Sequence, residues 1–166
     1  MPPQRIALYD TCMVHLITGV SGFLGTELAR HLLRSRPQDA VHGVGLDERA
    51  ESAFSYVQAD LTDARATREL LEQVRPDRIY HLAGGARVSS EIGMETYFQS
   101  NTRTTDALAE ALAVSDRPVE VFLASSVHVY GNQKEAVDDN SPPHPITPYG
   151  FTKYLAECTL ENLAQS

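Results

Sequence analysis

Cysteine is scarce in this chain. Only Cys12 and Cys158 occur among 166 residues, far apart in sequence. That spacing excludes a disulfide framework and a cysteine metal site, and it suits two ordinary thiols in a reducing cytosol. Long apolar runs are also missing: none approaches the ~20 residues of a membrane span. The first ten residues, Met1 to Asp10, contain too short an apolar core for a signal peptide. Residues 1–13 therefore read as an arm ahead of the first strand. Basic residues are few, 14 against 22 acidic, for a formal net charge of −8. This argues against nucleic acid or an anionic membrane as main partner. A small anionic ligand remains compatible, because backbone dipoles bind phosphate on acidic proteins. Internal repeats and low-complexity segments are absent.

What is present suits one globular domain. The apolar share is 42% and the charged share 22%, ordinary values for a chain that buries a core. The organising stretch is Val14-His15-Leu16-Ile17-Thr18-Gly19-Val20-Ser21-Gly22-Phe23-Leu24-Gly25. An apolar run stops at a glycine, two more glycines follow at three-residue intervals, and a helical pattern begins at Thr26. Glycine at a strand-to-helix turn permits positive φ and close backbone approach. Free N–H groups at the helix start, with the helix dipole, suit a diphosphate. A glycine triplet alone also serves plain turns.

The remaining pattern alternates. Strands are expected at Val14–Thr18, Ala40–Leu46, Phe54–Gln58, Arg78–Ala83 and Val119–Ala124. The last is an apolar run fit for a buried parallel strand. Helices are expected at Thr26–Arg34, Ala64–Val74, Glu95–Val114 and Tyr149–Ala164. The first of these carries Phe23, Leu24, Leu28, Leu32 and Leu33 on one broad face. Thr62 or Asp63 caps the second. Tyr97, Asn101, Thr105 and Leu108 share a stripe of the third. Gly131–Pro148, rich in Pro, Asp and Asn, is a long loop of the kind that carries function. The alternation predicts an α/β fold with a doubly wound parallel sheet in the order 3-2-1-4-5. That order brings Gly19, Gly22, His81, Ala83 and Gly84 to one switch point, with Ser125 and Ser126 beside them.

Six motifs occur in sequence: Thr18-Gly19-x-x-Gly22-Phe23-x-Gly25; Ala59-Asp60-Leu61; His81-Leu82-Ala83-Gly84; Asn101; Ser125-Ser126-x-x-Val129-Tyr130-Gly131; and Tyr149-Gly150-Phe151-Thr152-Lys153 with Glu157. The ordered set resembles the cofactor-binding half of an extended short-chain dehydrogenase/reductase, the NAD-dependent epimerase/dehydratase family of nucleotide-sugar enzymes. The resemblance runs from about Val14 to Glu157 and implies a Rossmann-like NAD(P)-binding domain over residues 14–166. By resemblance the cofactor contacts are Gly19, Ser21, Gly22, Phe23, Leu24, Asp47, Asp60, Leu61, Leu82, Ala83, Gly84 and Asn101, with Tyr149 and Lys153. No metal is implied.

Physical reasons accompany the matches. Asp47 ends strand two, where a carboxylate accepts the ribose hydroxyls of NAD and repels a 2′-phosphate. Arg49, two residues on, leaves NADP open. Asp47 also fits a solvated turn, and Asp60 fits an Asx-turn or helix cap as well as an adenine contact. Tyr149 and Lys153, four apart, share a helix face. A phenol near pKa 10 is a poor base at neutral pH, and a neighbouring ammonium favours its ionised form. The resemblance makes Tyr149 the acid/base, Lys153 its support and a ribose contact, and Ser126, rather than Ser125, the hydrogen-bond partner of the reacting oxygen. Asn101 reads equally as support for a helix kink, and His81 as a packed strand end. Relatives that dehydrate or decarboxylate a sugar carry an acidic residue at the position of His128, so Val127-His128 favours epimerase or ketoreductase chemistry.

Two small departures stand out. Gly84 replaces the family's usual alanine, which loosens a strand end, and Thr104 replaces a glycine, which shifts the long helix. The larger departure is that the family's C-terminal substrate lobe is absent from this sequence. Three expectations follow: a fragment of a longer enzyme, a short form completed at its exposed sheet edge by a second copy or a partner chain, or an idle dinucleotide-binding subunit. A partner-completed short form could also act on a secondary metabolite. The expected location is cytoplasmic, and the expected substrate is a nucleotide sugar or a related hydroxy or keto compound.

Overall fold

The computed structural model describes residues 12–48, 53–85, 89, 91–133 and 136–165. Five strands form one parallel sheet: β1 Val14–Thr18, β2 Ala40–Gly45, β3 Ser55–Gln58, β4 Arg78–His81 and β5 Glu120–Leu123. Their order is β3-β2-β1-β4-β5, with every pairing parallel. The order agrees with the crossover rule applied to the sequence. β1 is central and almost wholly buried, so both its faces carry core: Leu16 points one way and Ile17 the other.

Helices cover both faces. On one side α1 (Phe23–Ser35) packs with Ile17, Val20, Ala29, Leu32 and Val41. On the other, α2 (Ala64–Val74) and α4 (Thr104–Ala113) pack around Leu16, Val44, Leu61, Leu70, Ile79 and Leu108. Each fully buried Leu or Ile contributes about 1.5–3 kcal/mol over an exposed one. Asp63 caps α2, its Oδ1 accepting from Arg65 N–H at 2.8 Å and Ala66 N–H at 3.2 Å. Arg75, in the left-handed region at φ 49°, ends that helix.

Three expectations need correction. Helix α1 starts at Phe23, not Thr26, and its buried face is Gly25, Ala29 and Leu32. Phe23 and Leu24 are 83% and 62% exposed, and the first-turn residue that faces the β1 turn is Gly25. The long third helix is divided into α3 (Met94–Tyr97), a π-helical segment (Phe98–Arg103) and α4. The apolar run of β5 is not the buried strand its composition suggests: it lies at the sheet edge, as the expected strand order implies, with Phe122 59% exposed. The described residues between Gly131 and Thr147 carry no helix or strand, as the prolines require. A 3₁₀ turn (Val127–Tyr130) precedes this loop, and α5 (Pro148–Ala164) follows it. Among the described residues no helix is long and apolar enough to cross a membrane.

Candidate functional site

The site begins where β1 runs out. Gly19 takes φ +65°, and a Cβ there would lie 2.8 Å from Ala83 N. The glycine thus lets the first turn press against the end of β4. Thr18 stitches the same contact, its Oγ1 accepting from Leu82 N–H at 3.1 Å and Ala83 N–H at 3.0 Å. Gly25 brings helix to strand: a Cβ would meet Gly19 O at 2.5 Å and Val20 Cα at 2.6 Å. Gly22 differs. A Cβ there would meet only Gly19 O, at 3.2 Å, so protein packing alone does not demand glycine at this position.

Gly22 is the N-cap of α1, which has no side-chain cap and no acidic residue in its first turn. The first helical bond is Thr26 N–H to Gly22 O at 3.0 Å, so the amides of Phe23, Leu24 and Gly25 have no intrahelical acceptor. Ser21 Oγ is buried beside them without a hydrogen-bond partner. Uncapped amides at the positive end of a 13-residue helix, a glycine turn and an orphaned hydroxyl fit the diphosphate of a dinucleotide.

The neighbouring turns hold the other candidates. Asp47, exposed, lies just past β2, and its carbonyl accepts from the Tyr56 hydroxyl at 2.6 Å. Arg49 lies outside the described residues. Asp60 forms an Asx-turn: its Oδ1 accepts from Thr62 N–H at 2.9 Å and Thr62 Oγ1–H at 2.8 Å. Leu61 is buried in the α2-side core.

Across the switch point stand Ser126, Tyr149 and Lys153. Ser126 caps the 3₁₀ turn, its Oγ accepting from His128 N–H at 3.3 Å. Thr147 caps α5 by accepting from Gly150 N–H at 3.1 Å, with Pro148 in the first turn. A Cβ on Gly150 would lie 2.3 Å from His128 O, so α5 sits directly on the 3₁₀ turn. The Tyr149 ring is held edgewise between Tyr97, centroids 5.7 Å apart, and His128, 5.5 Å apart. No hydrogen bond joins the Ser126 and Tyr149 hydroxyls. Lys153 is only 7% exposed, and its Nζ donates to Ala124 O at 3.0 Å. Burial holds its pKa below the ordinary lysine value, and the Glu157 carboxylate partly offsets this.

Two sequence departures take on a different meaning. Gly84 adopts φ +155°, and a Cβ there would fall 2.6 Å from Asn101 Oδ1 and 3.2 Å from Lys153 Nζ. Glycine is therefore what lets the end of β4 meet both side chains, rather than a loosened strand end. Thr104 fits within the long helix, its Oγ1 donating to Ser100 O at 3.0 Å. Asn101, 1% exposed, accepts from Gly85 N–H at 2.9 Å and donates to Thr152 Oγ1 at 3.1 Å. Tyr97, Thr105 and Thr152 belong to this surround. The sequence marked Tyr97 and Thr105 only as members of a stripe, and Thr152 only as the residue before a lysine. Among the described residues no group of His, Cys, Asp and Glu could hold a metal ion.

Sheet order, glycine turn and convergent strand ends define a Rossmann-type α/β domain. The chain belongs to the NAD dependent epimerase/dehydratase family, whose sequence model matches residues 15–166. It is 32% identical over 160 residues to a UDP-glucose 4-epimerase of Mycolicibacterium smegmatis, a match covering 87% of this chain and 49% of that protein. It is 28% identical over 156 residues to a dTDP-glucose 4,6-dehydratase of Mycobacterium tuberculosis, covering 86% and 46%. Among solved structures, the Bacillus cereus UDP-glucuronic acid 4-epimerase in complex with UDP-glucuronic acid and NAD superposes with a TM-score of 0.79. It is 25% identical and covers 92% of this chain and 52% of its own. The chain thus spans about half the length of the relatives it matches.

Proposed function

We propose that this chain is the cofactor-binding part of an NAD-dependent enzyme of the cytoplasm that oxidises and re-reduces a hydroxyl of a nucleotide sugar. The observation that carries the reading is Lys153: a lysine only 7% exposed, four residues after Tyr149 and against the glycine at the end of β4. Burying an ammonium is costly, and a Tyr–Lys pair serving as surface decoration would not be buried this way.

The amides of Phe23, Leu24 and Gly25, with the Ser21 hydroxyl, would hold the diphosphate. Asp47, with its carboxylate at the end of β2, would accept the adenosine ribose hydroxyls, which favours NAD over NADP. Bound NAD supplies a hydride acceptor. Tyr149 takes the proton from the substrate hydroxyl and returns it in the reverse step. The Lys153 ammonium stabilises negative charge on the phenolic oxygen, and Ser126 Oγ donates to the reacting oxygen. No carboxylate occupies Val127 or His128, which favours epimerase-like over dehydratase chemistry.

The test is turnover of UDP-sugars with NAD present, followed by nicotinamide absorbance and product epimer ratio. Loss of at least about a hundredfold in Tyr149→Phe, with NAD binding retained, supports the reading. NAD binding without turnover in the wild-type chain makes it a binding unit and refutes the catalytic part.

A further inference from the structure

His81, at the end of β4 and 1% exposed, has no direct task in the proposed reaction. Each of its ring nitrogens meets a threonine hydroxyl: Nδ1 lies 2.9 Å from Thr18 Oγ1, and Nε2 lies 3.1 Å from Thr105 Oγ1. The proton positions follow from what those hydroxyls do elsewhere. Thr18 Oγ1 already accepts from two backbone amides, Leu82 and Ala83. The Leu82 amide is shared with Tyr80 O at 3.1 Å. Thr105, however, spends its own hydrogen on Asn101 O and can only accept from His81 Nε2, which leaves the Thr18 hydrogen to point at His81 Nδ1. Nδ1 is therefore the bare acceptor, and Nε2 carries the proton. Nε2–H donates to Thr105, and Thr105 Oγ1–H donates onward to Asn101 O at 2.8 Å. The chain of donors runs one way, from Thr18 to Asn101. A neutral ring agrees with its surroundings: burial, aided by the charge of Lys153, brings the His81 pKa down to about 4.

Asn101 lies inside the π-helical segment, where Thr105 and Thr104, the latter at 3.4 Å, bring hydroxyls to its carbonyl. Its side chain reaches two parts of the site, Gly85 N–H and Thr152 Oγ1. Thr152 donates to Tyr149 O at 2.9 Å, and its own carbonyl accepts from Thr102 Oγ1 at 3.2 Å. Thr152 directly precedes Lys153 in α5.

We propose that His81, locked as the Nε2–H tautomer, is a positioning residue that couples the glycine turn, through Thr105 and Asn101, to the stretch of α5 bearing Tyr149 and Lys153. The functional meaning of that coupling rests on the reading of Tyr149 and Lys153 given above; the lock itself does not.

The test is nuclear magnetic resonance of the full chain labelled with ¹⁵N-histidine and ¹³C-lysine. In the wild type, His81 is expected to show a pyrrole-type Nε2 and a pyridine-type Nδ1 at neutral pH. An Nδ1–H ring, or a mixture of tautomers, overturns the proposal without any variant being made. Thr105→Val removes the link while keeping the shape. It is expected to mix the His81 tautomers and raise the Lys153 titration midpoint by about half a pH unit or more, whereas Thr105→Ser restores both. Thr67→Val, which deletes another buried threonine hydroxyl, on α2, controls for general destabilisation. A Lys153 shift no larger in Thr105→Val than in Thr67→Val overturns the coupling. Failure of the functional reading is separate: it would show as absent NAD binding or turnover while the tautomer lock and the Lys153 coupling persist.

Discussion

Acid should weaken this fold through one buried imidazole. The His81 pKa falls from 6.5 to about 4, first through burial and then through the nearby charge of Lys153. Between those values the unfolded chain binds a proton that the folded chain refuses. Stability contributed by the neutral ring is therefore complete above the ordinary histidine pKa and is lost as pH falls toward 4. At about 1.4 kcal/mol per pH unit, the whole gap is worth roughly 3 kcal/mol. About 2.5 kcal/mol of it should disappear between about pH 7.5 and about pH 4.5. Urea unfolding followed by far-ultraviolet circular dichroism measures this, with the wild type compared against His81→Gln at each pH. The glutamine side chain of that variant has nothing to titrate, so the stability advantage of the wild type should shrink by that amount across the window. His42 on β2, whose pKa burial also lowers, titrates in the same window but is common to both proteins and cancels in the comparison. Asp39, just before β2, is held low chiefly by its hydrogen bond from His15. It loses its contribution only as pH falls below its ordinary value of 3.8, outside the window. A difference between wild type and variant that stays flat with pH refutes the neutral buried ring.

Other substitutions separate packing from ligand binding. Gly25→Ala places a Cβ 2.5 Å from Gly19 O and should cost about 1–3 kcal/mol, read as a lower unfolding midpoint. Gly22→Ala has only a 3.2 Å contact to relieve, so its midpoint should stay near wild type while NAD affinity falls by about tenfold or more in calorimetry. Gly84→Ala forces a Cβ to 2.6 Å from Asn101 Oδ1. It should lower stability by about 1–3 kcal/mol and disturb the Lys153 resonance as well. Asp47→Asn removes the charge that opposes a 2′-phosphate, so the ratio of NADP to NAD affinity should rise by about tenfold in competitive titration.

The sheet was readable because its determinants are local. Val14–Thr18 and Ala64–Val74 occur where the apolar pattern and Asp63 place them, and handedness supplies the strand order. The glycine turn was readable for the same reason, since Gly19 and Gly25 serve contacts within a few residues or with the adjacent strand. The π-helical segment was not. Tyr97, Asn101, Thr105 and Leu108 repeat at ordinary helical spacing, and what distinguishes the segment is a set of hydrogen bonds to residues about 50 positions away, such as Asn101 to Thr152. Likewise His81 looked like a packed strand end, because the two threonines that fix its tautomer lie on β1 and α4. Exposure of β5 follows from its place at the edge, which the strand order supplies and the apolar pattern of Val119–Ala124 alone does not report. Gly84 needed the position of Asn101 before its missing Cβ had a reason.

On the proposed reading, the uncapped start of α1 and the Gly19 turn hold a dinucleotide beside Lys153. Isothermal titration of the full chain with NAD tests it most directly, run in parallel on Gly22→Ala and Lys153→Met. The wild type is expected to bind one NAD per chain, with weaker binding in both variants. Absence of binding by NAD and NADP alike, or wild-type affinity in both variants, would contradict it.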